Sequence, residues 1–185
     1  MRHAPDLSHL RRPGPPPDAC LTIGGIFSIV CLAADGSERW RDTAKNGVVT
    51  VGLNSVLDVA FRAQAQLTAW FIGLIHSTNY SALALADTLA SHAGWEESSA
   101  YSQATRPAWS PAAAAAGVAA NAAAAAFSIN AGSTTTLKGA FLASNSTKGG
   151  TTGTLFCTAL FSGGDRDVIN GDTLNLTYTL TAASG

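Results

Sequence analysis

From Thr173 to Leu180 the residues alternate strictly in pairs: Leu174, Leu176, Tyr178 and Leu180 fall on one side, and Thr173, Asn175, Thr177 and Thr179 on the other. Side chains on a strand point alternately to opposite faces, so this pattern buries one face and wets the other only as a β-strand laid on a core. Thr136 to Ala143 and Thr154 to Leu160 also read as strands, divided by turns rich in Gly, Ser, Asn and Asp. Several short strands with turns between them predict a mainly β chain, an antiparallel β-sandwich of jelly-roll-like character. A length of 185 residues suits one core, so residues 23–185 are expected to form a single domain.

Upstream, Ile26 to Leu32 is rich in β-branched and aromatic residues, Asp35-Gly36 is a hairpin-turn signal, and Arg39-Trp40-Arg41 begins the return. Asn46-Gly47 marks a second turn, which sets a β-hairpin element at residues 23–51. The period then changes. Leu53, Val56, Leu57, Ala60 and Phe61 share one helical face, predicting an amphipathic helix at about residues 53–66 laid on the sheet. Leu67 to Ile75 is too apolar for a solvent-facing strand and is expected in the core. Short strands are expected around Pro107, at an edge or bulge. In Pro111 to Ala126, alanine propensity favours a helix, while Gly117, Asn121 and the alternation of Phe127 to Asn130 favour a strand; extended structure is expected from about Asn121.

Residues 1–22 form the remaining unit. Five of the seven prolines lie here with little apolar content, so an extended, polyproline-like arm is expected that orders by docking on something else. Arg11, Arg12, Pro15, Pro16 and Pro17 are its candidate partner contacts, with Trp40 in the hairpin as another.

Only 12% of residues are charged, where about a quarter is usual. A surface of Ser, Thr, Asn, Gly and Ala is easier to understand if other subunits cover much of it. The net charge of −1 supplies no basic field for nucleic acid. No run of about 18 apolar residues predicts a membrane span, and the N-terminal residues lack the apolar core of a signal peptide. Cys20, Cys31 and Cys157 share no metal-like spacing; reduced, core-filling thiols in a protein made in a cytoplasm are expected, with a Cys20–Cys31 bridge left open.

No pattern for catalysis, cofactor binding or metal ligation emerges. The four histidines form no pair at metal spacing, and His92 with Asp87 and Ser91 lacks a nucleophile-elbow sequence. Glu96 and Glu97 are adjacent, so a strand sends them to opposite faces. Tyr101, Arg106 and Trp109 are candidate stacking residues, Arg106 resting on an aromatic ring or pairing with one of those glutamates. Gly149-Gly150 reads as a β-turn, since a phosphate loop needs Gly-Lys-Ser/Thr and a following helix. Asp165, Asp167, Asn170 and Asp172 are the nearest approach to a calcium cluster and lack a calcium loop's spacing.

From Gly25 to Thr181 the chain resembles a family of small virion structural proteins of tailed bacteriophages. The likeness rests on GGIFSIVC with its Asp-Gly turn and Trp40, on NGVVTVGLNSVLD from Asn46, and on Trp70 to Ile75. It continues through ADTLASHAGW from Ala86, Tyr101, Arg106-Pro107-Ala108-Trp109, KGAFLASNSTKGGTTGTLF from Lys138 and NGDTLNLTYTLTA from Asn170. The resemblance implies a non-enzymatic virion component without cofactors, made in the bacterial host cytoplasm. A capsid decoration or cement protein is expected, on the capsid exterior, with the major capsid protein or copies of itself as partners in a homo-oligomer. A tail, collar or fibre-base component, including a receptor- or glycan-binding module, is the competing expectation. The latter requires Trp and Tyr side chains gathered on one open surface.

Overall fold

The computed structural model describes residues 20–184. The arm residues Arg11, Arg12, Pro15, Pro16 and Pro17 lie outside them. Among the described residues, eleven strands and one helix follow in the order β1 (Leu21–Leu32), β2 (Glu38–Val48), α1 (Thr50–Phe61), β3 (Trp70–His76), β4 (Glu97–Ser98), β5 (Ala108–Trp109), β6 (Val118–Ala120), β7 (Ala125–Ser128), β8 (Thr135–Ala143), β9 (Leu155–Leu160), β10 (Arg166–Val168) and β11 (Thr173–Ser184). The fold is mainly β, antiparallel and sandwich-like. Its hydrogen-bonded path runs β4-β3-β8-β9-β2-β1-β11-β6, with β5 on β3, β7 on β11 and β10 on β8.

The path folds over at β2. Residues up to Lys45 pair with β1, whereas Asn46 to Val48 pair with β9. A strand that leaves its neighbour exposes backbone donors, and here the Asn46 side chain supplies the missing partner. Its Oδ1 accepts the Gly25 N–H, and its Nδ2 donates to the Tyr178 hydroxyl at 2.9 Å. Asn46-Gly47, expected as a turn, is therefore the corner where one strand passes between layers. The Asp35-Gly36 turn does close the hairpin: Gly36 N donates to Ala33 O at 2.9 Å, and Asp35 Oδ1 accepts from Ser37.

Between the layers, Phe27, Ile29, Leu174 and Leu176 meet Ile72, Leu74, Leu142 and Cys157 in one buried cluster. The alternation in β11 is seen directly: Leu174, Leu176 and Tyr178 are buried and Leu180 is half-buried. A second, smaller core lies on the outer face of β3, β8 and β9. There Ile75, Phe141 and Leu155 are covered by Leu89 and Trp95 from the long connection after β3. That connection is pinned by Asp87, whose Oδ2 accepts the Trp95 indole N–H and the Ala84 N–H, each at 2.9 Å.

The alanine run contains no helix. Ala112 to Ala115 turn back on Val118 to Asn121 through a two-residue loop, Ala116-Gly117, with φ of 51° and 76°. Positive φ at both central positions is the requirement of a tight hairpin turn, and Gly117 meets it without strain. The edge of β11 offers ladder partners to β6 and β7, while an alanine helix has little side-chain surface to bury. Asn121 bridges the gap between β6 and β7, accepting from Tyr178 N at 2.7 Å and donating to Leu176 O at 3.2 Å.

The helix forms, but its limits and orientation differ from the expectation at 53–66. It starts at Thr50 and ends at Phe61, with Ala63 at a φ of 53° just beyond. No side chain caps its start; Val49 N and Thr50 N donate instead to Phe156 O at 3.1 Å and Leu85 O at 2.8 Å. Its only fully buried residue is Gly52. A Cβ there would overlap the Phe156 carbonyl oxygen, so the missing side chain lets the helix backbone settle on β9. The sheet-facing side is set by this close approach, and most of the apolar stripe that was expected to face the sheet faces out.

Candidate interaction surface

Leu53, Leu57 and Phe61 recur every four residues along α1, which stacks them in one row on its surface. They are 41, 51 and 81% exposed. Leu85 is also exposed, at 66%; its carbonyl receives the Thr50 N–H, while it lines a separate shallow cleft with Lys45, Thr158 and Leu160 over β2 and β9. Full burial of a Leu or Phe side chain is worth about 1.5–3 kcal/mol. The fold collects part of that from Val56, which packs on the main core, and leaves most of the row in water.

Two clefts border residues 66–70, the first of them against the helix. One, of about 270 Å³, is walled by Val56, Val59, Leu67 and Trp70. The other, of about 410 Å³, lies between Gln66, Leu67 and Trp70 on one side and Trp109 and Pro111 on the other. The half-buried Trp70 ring divides them and is held edge-on to Phe156, with ring centroids 5.5 Å apart. Trp40, Trp95 and Trp109 donate their indole N–H groups to Asp167 O, Asp87 Oδ2 and Tyr178 O. No such intrachain bond is made by Trp70 among the described residues.

The densest polar constellation is of another kind. Arg106 is 2% exposed, and its guanidinium meets Glu97 through two parallel bonds of 2.8 and 2.7 Å. It also donates to Asn145 O at 2.7 Å and Gly150 O at 3.2 Å, and lies over the Phe141 ring at 5.1 Å. Glu97 accepts a further bond from Gly149 N at 2.6 Å. These bonds occupy both partners and tie the Gly149-Gly150 turn to β4. Two buried hydroxyls nearby in sequence, Ser98 Oγ and Tyr101 OH, have no partner among the described residues.

The three proposed stacking residues do not stack on one another. Tyr101 meets Phe127 edge-on at 4.9 Å beneath Lys148, Trp109 meets Tyr178 at 5.5 Å, and Arg106 takes Phe141. Trp40 is half-buried, its ring near Phe161 and Arg166, so much of it is already used inside the fold. His92 stacks on Trp95 at 4.0 Å, apart from any nucleophile arrangement. Asp165, Asp167 and Asp172 each engage a separate partner, Lys138, Thr136 and Arg39.

All three cysteines are free. Cys31 and Cys157 fill the core, whereas Cys20 is exposed, contrary to the expectation for all three. Burial, and then the charge of Asp172, pushes the Cys31 thiol up to about 12; burial pushes Cys157 up to about 11. Both are protonated at neutral pH and so poor nucleophiles.

The α1 row was legible as an apolar stripe but was assigned to the core. Gly52 held the available signal, since a glycine in a helix interior often marks close approach. Among the described residues, no helix is long and apolar enough to cross a membrane. No family model matches the chain, and no curated protein matches it.

Proposed function

We propose that this protein is a structural component that works by protein–protein contact, and that its assembly is a tailed-phage virion. The observation that carries the reading is the exposed row Leu53, Leu57 and Phe61. A contiguous apolar row on a weakly charged surface fits a contact site. The sequence resemblance supplies the virion, and within it the protein acts as a capsid decoration protein that binds the major capsid shell. Repeated weak contacts around the shell then stabilise it through avidity. Against a glycan-binding module, Trp95 and Trp109 are buried and Trp40 is half-buried, so the aromatic residues do not form an open platform.

Purified protein mixed with capsids lacking it tests the reading through co-sedimentation and shell heat resistance. Binding in fixed stoichiometry with increased resistance is expected, and both are lost in the Leu57→Ser/Phe61→Ser variant. Binding to tails or host cells in place of capsids overturns the capsid assignment.

A further inference from the structure

We propose that the open edge of β1 at Leu21–Ile23 pairs antiparallel with the same edge of a second copy of this chain, Thr22 lying opposite Thr22. Along most of its length β1 has β11 on one side and β2 on the other, but β2 leaves it after Lys45, opposite Ile26. The Asn46 side chain takes the Gly25 N–H, and β1 continues outward to Leu21 beside β11 alone. Among the described residues, no strand pairs with its other edge there. The ladder fixes where the free groups point. Ile23 lies opposite Ala182, whose N–H is turned away from β1 to Gly117 O at 2.8 Å. Two residues opposed in this way in an antiparallel pair both direct their backbone groups outward. The N–H and C=O of Ile23, and of Leu21 two residues before it, therefore project from the open edge.

The same stretch is uncovered on its core face. Phe27, Ile29 and Cys31 are buried on that face, and the alternation continues through Gly25 to Ile23, half-buried, and Leu21, 67% exposed. No charged residue occurs from Cys20 to Ala34 or from Thr173 to Ser184, and Leu21–Ile23 contains no proline. Charge and proline are what protect an open edge, and an edge without them is a template for another strand. A second copy is the occupant this edge fits, because the edge complements itself. With Thr22 opposite Thr22, Leu21 of each copy faces Ile23 of the other, and every outward N–H and C=O of these residues gains a partner. Leu–Ile pairs then cover one another on the core face, and a Thr–Thr pair, favourable across strands, forms on the opposite face. So short a pairing buries far less than the roughly 800 Å² per partner of a standard interface. It is a weak contact, strengthened where copies are held close together.

The contact is separate from the α1 row, and its test needs only the purified full chain. In a Cys20→Ser background, Thr22→Cys sets two thiols opposite one another at a non-hydrogen-bonded pair, the closest approach of facing strands. Mild oxidation is expected to link Thr22→Cys chains as dimers at least tenfold faster than Gly24→Cys chains in the same background. The second variant is a fair control, since a Cβ at Gly24 meets nothing within 4 Å. In sedimentation at up to about 1 mM, Leu21→Pro removes one outward N–H and is expected to weaken self-association at least tenfold with the circular dichroism unchanged. Leu57→Ser/Phe61→Ser is expected to leave self-association as it was. A chain that stays monomeric, or oxidation at position 24 as fast as at position 22, overturns the proposal. Loss of self-association in the Leu57→Ser/Phe61→Ser variant moves the contact to α1 and overturns it as well. Capsid binding plays no part in these readouts, so the decoration reading stands or falls separately.

Discussion

The Arg106–Glu97 pair and the outer row of α1 are opposite answers to the same physical demand. Arg106 is a buried cation whose bonds are met by Glu97, Asn145 and Gly150 within the chain. Leu53, Leu57 and Phe61 are apolar groups left in water by a helix that has already settled on the sheet. A satisfied buried charge holds the fold together and offers nothing to a partner. An apolar row without an internal complement directs attention to a complement outside the chain.

The largest expected effect comes from unbalancing the buried pair. Glu97→Ala leaves the Arg106 charge uncompensated and should destabilise the protein by about 3–5 kcal/mol in urea unfolding. A loss below about 1 kcal/mol, the scale of an exposed pair, would mean that water reaches Arg106 and that the contrast with the helix is overstated. Next, Gly52→Val forces a side chain against the Phe156 carbonyl. It should cost about 1–3 kcal/mol and lower the melting temperature; an unchanged melting temperature would show that α1 is not seated by close approach.

A smaller effect is expected from pH. Burial by itself raises the Asp42 pKa, but the Arg166 bond at 2.7 Å and the N–H groups of Thr43 and Gly163 outweigh it and hold the carboxyl below its ordinary value. The contribution is therefore complete above the unfolded value of about 4 and is lost as pH falls through the lowered folded value. Asp42→Asn should lose about 1 kcal/mol or less at neutral pH, and the difference from the parent should shrink in acid. A pH-independent difference would assign the effect to packing. The smallest stability effect belongs to Leu57→Ser/Phe61→Ser, within about 0.5 kcal/mol, even as the proposed capsid binding is expected to be lost. A large loss of stability there would place the row in the fold's own core.

Much of the architecture was legible because it is written in local signals. The β11 alternation, the Asp35-Gly36 turn and the strands at β8 and β9 depend on residues close in sequence, and each appears where its pattern predicts. For Arg106 the sequence left two partners open, an aromatic ring or a glutamate, and the fold supplies both in Phe141 and Glu97. The Asn46-Gly47 corner was not legible, because its role depends on Gly25 and Tyr178, which are distant in sequence. Extended structure was legible only from Asn121 onward, at β7, and the alanine hairpin before it was not, because intrinsic propensity favours a helix there and the β11 edge supplies the competing bonds.

The sequence by itself determined the period of each segment, and with it the antiparallel β character, the presence of a helix after β2 and the shortage of charge. Tertiary structure alone decided which side of that helix is turned inward. Periodicity identifies a stripe, but the stripe becomes core or contact surface according to how closely two backbones approach, and at Gly52 that distance is set by β9.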